Sequence, residues 1–174
     1  MKPSVAPAPV RTATGADAAA LHALSAPFIR SGALRRRGVA DYRAAAGDFL
    51  VAPGPNALDG PEVLDGPNVL DGCVGLRVLR PEPGHPSAGV LYNFCVRGER
   101  QGSGLGSGLL EAVLAEAARR GLSTAFTATT GSGALFGWYG FRQVPTALAP
   151  RAWTAGLDPA RGSRVHVLTL PTGA

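Results

Sequence analysis

The residues best suited to chemistry are the glycines of Arg97-Gly98-Glu99-Arg100-Gln101-Gly102-Ser103-Gly104-Leu105-Gly106-Ser107-Gly108, which alternate from 102 to 108. A backbone bare of side chains turns tightly and brings its N–H groups close to a ligand. An apolar run, residues 90–96, leads into the loop, and a stretch of helical periodicity, residues 109–119, follows it. The glycines therefore sit between a strand and a helix start. Their amides can converge on an anion at the positive end of the helix dipole. Arg97 and Arg100 add charge at the rim. The loop lacks the Gly-Lys-Ser/Thr ending of a Walker A motif, and its glycines miss the G-x-G-x-x-G register of a dinucleotide fold.

Other reactive residue types are sparse. Cys73 and Cys95 have no metal-ligand spacing, so no metal is expected. Cys95 follows the strand into the loop, but no histidine stands near it in sequence to activate a thiolate. His22 lies beside the apolar face of a helix, and His85 falls in a Pro-rich turn. The triplet Arg35-Arg36-Arg37 reads either as a solvated basic turn or as a source of one guanidinium over an anion site.

With 174 residues the chain reads as one domain, and 45% hydrophobic content argues against disorder. The net charge is +5, almost all of it from arginine, which favours acidic partners such as phosphates or a dicarboxylate. The arginines are spread out with few aromatics among them, so a nucleic-acid face is not expected. No apolar run is long enough for a membrane span, and no secretory signal pattern opens the chain. With only two cysteines, a cytoplasmic location is expected.

These residues need elements to hold them. Residues 1–9 read as a flexible tail and 10–174 as one domain. A short strand at 10–13 precedes Thr14-Gly15-Ala16-Asp17, a capping box with Asp in place of Glu. Leu21, Leu24, Phe28 and Ile29 then mark one face of a helix. A second helix is expected over 39–48 and a strand over 49–52. Residues 55–72 hold three hexads, each ending Leu-Asp-Gly, too few for a solenoid. They read as an expanded loop whose Leu and Val residues could support a homodimer. Strands follow at 73–79 and 89–96, then the loop, a helix over 109–119, a strand at 122–130, a short helix at 134–138 and a further strand. Residues 145–160 read as irregular and 164–170 as a closing strand. The order implies an α/β three-layer fold.

The spacing Gln101-x-x-Gly104-x-Gly106 resembles the acyl-CoA pyrophosphate loop of the GNAT superfamily of N-acetyltransferases, and the element order is similar to that fold over the whole chain after the tail. Several stretches resemble the acetyltransferase domain of N-acetylglutamate synthase. They are residues 32–37 (G-x-L-x-R-R), Arg100 to Gly104, Thr129-Thr130 with Leu135 to Phe141, and Arg161-Gly162-Ser163-Arg164-Val165 (R-x-S-x-V). The resemblance implies a mixed, mostly antiparallel sheet, splayed where acetyl-CoA binds as cosubstrate. The pantetheine would pair with backbone at Phe94 and Val96, and the pyrophosphate with amides of Gln101, Gly102, Ser103, Gly104, Leu105, Gly106 and Ser107. Substrate carboxylates would be held by Arg36 or Arg37 and by Arg161 with Ser163. Two family features are missing: the Glu base of the strand before the loop, where this chain has Val90-Leu91-Tyr92, and the Tyr acid, where it has Phe136. Asn93 stands where some synthases carry lysine.

The resemblance thus implies acetyl transfer to the α-amine of a small amino acid, glutamate foremost, within a ternary complex. Proton acceptors to consider are solvent, Tyr92 and the leaving thiolate. A backbone amide near Cys95 would polarise the thioester carbonyl, and Thr129 would donate to the departing sulfur. Two alternatives stay open: the same chemistry on another amine or a protein N-terminus, and a non-catalytic CoA-binding module.

Overall fold

The computed structural model describes residues 9–54 and 69–171. The expectations for the tail and for most of the hexads lie outside these residues. In chain order the elements are β1 (Arg11–Thr12), α1 (Ala18–Arg30), α2 (Val39–Ala44), β2 (Phe49–Pro53), β3 (Leu70–Val78), β4 (Ala88–Val96), α3 (Leu105–Arg119), β5 (Thr124–Thr129), α4 (Ala134–Trp138), β6 (Arg142–Val144), α5 (Arg151–Thr154) and β7 (Arg164–Thr169). The strands form one seven-stranded sheet in the order β1-β2-β3-β4-β5-β7-β6. Among the described residues only β4 and β5 pair in parallel.

Side-chain alternation makes three layers. Cys73 faces α1 and α2, packed with Leu21, Tyr42 and Phe49. Its neighbours Val74 and Leu76 face α3, packed with Leu109, Leu110 and Val113. The expected capping box is present: the Thr14 N–H donates to Asp17 Oδ2 at 2.8 Å. Asp17 also takes both terminal nitrogens of Arg11, at 2.8 and 2.9 Å, which holds its carboxyl below the usual range.

Four boundaries differ from the sequence reading. The second helix stops at Ala44, and a 3-10 turn covers Ala46–Asp48. Helix α3 starts at Leu105, so Gly106 and Gly108 belong to it. Helix α5 lies in the segment read as irregular. Strand β3 starts at Leu70, so the last Leu-Asp-Gly is strand rather than loop. Asp71 is 3% exposed. Its carboxylate lies 3.6 Å from Arg97 Nε and 3.5 Å from Arg100 Nε. A Cβ on Gly72 would meet Leu109 Cδ1 at 2.6 Å, so only glycine lets α3 sit this close to β3.

The Gly54 N–H donates to Val69 O at 2.7 Å, which brings the ends of β2 and β3 within hairpin distance. Residues 55–68 are therefore expected to be replaceable by Asn-Gly, a two-residue hairpin turn, provided Val69 to Gly72 stay. Activity per folded molecule should remain within about threefold, or about 0.65 kcal/mol. A larger loss in kcat/KM, or a changed mass by light scattering, would give these residues a working role.

Candidate acyl-transfer site

Strands β4 and β5 share register only from Ala88↔Thr124 to Leu91↔Thr127. Beyond that point β4 continues to Val96 beside β3, and β5 to Thr129 beside β7. The sheet thus opens along the outer half of β4. Thr127 Oγ1 donates to Leu91 O at 3.1 Å and ties the strands at the point of divergence. Sequence reading missed this residue, because nothing local separates it from the other threonines of the strand.

The register between β3 and β4 slips: Cys73 faces Cys95, but Gly75 faces Tyr92. The extra residue is a bulge, and Asn93 takes φ 49° within it. The bulge resets alternation, so Tyr92, Asn93 and Cys95 all face the α1–α2 layer. Tyr92 OH donates to Asp48 Oδ2 at 2.9 Å. Asn93 Oδ1 accepts from Tyr42 OH at 3.0 Å and from Arg37 Nη1 at 3.3 Å, and its Nδ2 donates to Ser25 Oγ at 3.0 Å. Cys95 Sγ lies 3.6 Å from Cys73 Sγ and 4.0 Å from Ser25 Oγ.

These contacts weigh against two candidate roles. Cys95 is 3% exposed with its thiol turned into the α1 core, so it is not placed to carry an acyl group; only its backbone borders the opening. Tyr92 is no base at neutral pH. Its proton is held by Asp48, and burial followed by the nearby carboxylate pushes its phenol far above the usual range. Thr129 sits at the end of β5 and accepts the Gly131 N–H at 3.1 Å, which leaves its own hydroxyl hydrogen free to donate.

At the loop, Gly102 and Gly104 have φ of 76° and 89°, the left-handed region that glycine enters freely. The amides of Gln101 and Ser103 are spent on Gly98 O and Arg100 O, at 3.2 and 3.3 Å. Gln101 Nε2 returns to Val96 O at 3.1 Å and closes the loop on its strand. Both residues therefore shape the loop, a correction to their expected part in the cradle. The N–H groups left are those of Gly102 and Gly104 and, at the start of α3, Leu105, Gly106 and Ser107. They suit a pyrophosphate at a helix N-terminus. Phe94 and Val96 turn their side chains toward α3, with Phe94 5.8 Å from the Phe136 ring. Gly104→Val is expected to weaken CoA binding at least tenfold, about 1.4 kcal/mol, through backbone strain alone, since a Cβ there meets nothing within 4 Å. Unchanged affinity by calorimetry in a folded variant would displace the ligand from this loop.

On the α1–α2 side a cavity of about 410 Å³ reaches Leu91, Asn93 and Ala128 at the opening. Arg35, Arg37, Arg77, Arg80 and Arg161 line it, with Ser163 beside them and Asp158 the one acid among the described residues. Asp158 Oδ1 is engaged by the Ala160 N–H at 2.9 Å. Arg36 is exposed and does not line the cavity; of the two arginines proposed at that position, Arg37 does. Arg37 and Arg77 stand 5.0 and 4.9 Å from the centre of the Tyr92 ring. Among the described residues neither forms an ion pair. Burial, with repulsion from Arg77 and Arg35, pulls the Arg37 guanidinium below its usual range. Arg77 was not foreseen, because only the fold brings the end of β3 to this cavity. Arg161 Nη2 donates to Gly32 O and Ala33 O, both at 3.0 Å, and so ties the stretch before β7 to the segment ahead of Arg37.

Residues 33–141 match the acetyltransferase (GNAT) family, well over half of the chain. The chain belongs to that family. Membership brings acetyl transfer with acetyl-CoA as cosubstrate. Among the described residues no group of His, Cys, Asp and Glu could hold a metal, and no helix is long and apolar enough to cross a membrane. No curated protein matches the sequence. Among solved structures, N-acetylglutamate synthase from Neisseria gonorrhoeae, complexed with coenzyme A and N-acetyl-glutamate, aligns at TM-score 0.79 and 22% identity, over 94% of this chain and 35% of that one. The chain thus spans about a third of the synthase's length. Rv2747 from Mycobacterium tuberculosis, in complex with CoA, aligns at TM-score 0.71 and 19% identity over 94% and 99% of the two chains. A ribosomal-protein alanine N-acetyltransferase from Escherichia coli aligns at TM-score 0.61 and 17% identity over 95% and 96%. At these identities the likeness is one of fold.

Proposed function

We propose that this protein moves the acetyl group of acetyl-CoA to the α-amine of an amino acid bearing a second carboxylate, L-glutamate foremost. The observation that carries the reading is the cavity at the opened strand pair, with five arginines against a single acid among its described lining residues. Uncompensated guanidiniums in a partly buried cavity favour an anionic ligand, and their planar forks suit carboxylates. A polyamine or aminoglycoside would meet repulsion there. The likeness to the gonococcal synthase supports the same choice. The free thiols of Cys73 and Cys95 fit a cytoplasmic setting.

In this reading the amino acid lies in the cavity with its amine at the splay. The nitrogen lone pair attacks the thioester carbonyl carbon, the C–S bond breaks, and the sulfur leaves as thiolate. A β4 backbone amide past the bulge polarises the carbonyl, and Thr129 donates to the thiolate. The amine proton passes to solvent through the open cavity, since the Tyr92 hydroxyl is committed to Asp48. Catalysis then rests mainly on proximity and orientation.

Incubation with acetyl-CoA and a panel of glutamate, glutamine, aspartate, aminoadipate, spermidine and an alanine-started peptide tests this. Product should form fastest with the dicarboxylic amino acids. Preference for spermidine or the peptide would reject the substrate class. Absence of turnover with every amine, alongside tight CoA binding, would mark a non-catalytic CoA module.

A further inference from the structure

Trp138 is 87% exposed, an unusual position for the largest side chain. Among the described residues Val78 and Leu148, at 48% and 60%, are the other exposed large apolar residues, and neither lies on α4. Its setting is specific. On α4, Leu135 points at the start of α3: its Cδ2 lies 3.5 Å from where a Cβ on Gly106 would stand. Tyr139 anchors the end of α4 to the same place, its OH donating to Glu111 Oε1 at 2.7 Å and reaching Ser107 O at 3.5 Å. Residues three and four apart share a helix side, so Trp138 lies on the side of Leu135, at the mouth of the glycine loop. Among the described residues its indole has no aromatic partner.

We propose that Trp138 is the stacking platform for the adenine of the coenzyme. The proposal rests on the acetyl-CoA reading of the loop and names a residue for the part of the ligand that the loop does not hold. The pyrophosphate joins pantetheine to the adenine nucleotide. With the pyrophosphate on the amides of Gly102, Gly104, Leu105, Gly106 and Ser107, the pantetheine runs inward along β4 and the nucleotide is left on the solvent side, beside α4. A purine offers a π-face and asks little of a surface in hydrogen bonds, so one exposed indole suffices for it.

The test measures affinity for CoA and for acetyl-4′-phosphopantetheine, which lacks the adenylate, by calorimetry on the parent, Trp138→Ala and Trp138→Phe. The expected result is a loss of about tenfold for CoA in Trp138→Ala, with phosphopantetheine affinity unchanged and most of the loss recovered in Trp138→Phe. CoA should also quench tryptophan emission in the parent, and this quenching should vanish in Trp138→Ala while that of phosphopantetheine stays small. Equal affinities of parent and Trp138→Ala for CoA would overturn the proposal and leave the acetyl-CoA reading intact. An equal loss for both ligands would also overturn it, since the residue would then be supporting the loop. Failure of the parent to bind CoA at all would remove the reading beneath it.

Discussion

Arg37→Gln is expected to lower catalytic efficiency for glutamate about 30-fold or more, with the Michaelis constant for acetyl-CoA nearly unchanged. Arg37 lines the cavity, stacks on Tyr92 and is pinned by Asn93, so its charge is held in place with no acidic partner among the described residues. Leaving a bound carboxylate without its guanidinium costs about 2–5 kcal/mol. Glutamine keeps a donor for Asn93 Oδ1, and Asn93 also keeps Tyr42 and Ser25, so the fold should survive with a melting temperature near the parent's. Arg36→Gln serves as the internal control. It removes the same charge one residue away from an exposed side chain that does not reach the cavity, and should change efficiency by less than about twofold, as surface substitutions do. Equal losses in the two variants would mean that overall positive charge, not a seat at Arg37, draws the substrate.

The glycine loop was legible because its chemistry is local: Gly102 and Gly104 take backbone angles that other residues avoid, and a strand and a helix flank them. Its far edge was misjudged. Glycine is a poor helix former, yet Gly106 and Gly108 lie in α3, with Gly106 beside Leu135 and Phe94. Asp71 shows the opposite failure. Three copies of Leu-Asp-Gly read alike as turns, but the third is a buried strand end because Arg97 and Arg100, across the sheet, compensate its carboxylate. Helix α5 lacks a local start signal because its cap comes from afar: Glu82 accepts from the Arg151 and Ala152 N–H groups at 2.6 and 3.2 Å. The cavity divides in the same way. Arg37, Arg161 and Ser163 belong to short motifs that a sequence displays, whereas Arg77 and the Asn93 bulge follow from strand register, which no local pattern encodes.

Arg161→Ala is expected to cost about 30-fold or more in efficiency for glutamate, and here the structure separates two causes. One is direct: Arg161 and Ser163 both border the cavity, on either side of the Gly162 turn at φ 61°. The other is indirect. Through Nη2, Arg161 holds Gly32 O and Ala33 O, so its loss also releases the segment that presents Arg37. Arg161→Lys distinguishes them. An ammonium has three donors and can still bond two carbonyls, but it cannot offer a carboxylate two parallel N–H groups. If the residue touches substrate, lysine should restore the segment and the melting temperature while recovering only part of the efficiency, with the loss lying in KM for glutamate. If its work is only to hold residues 32 and 33, lysine should restore nearly full efficiency, and Arg37 alone would carry the carboxylate. In both cases KM for acetyl-CoA should stay within about twofold of the parent, because the glycine loop proposed for the pyrophosphate lies at the other end of the opening. A parallel rise in both Michaelis constants would mean that Arg161 supports the splay itself.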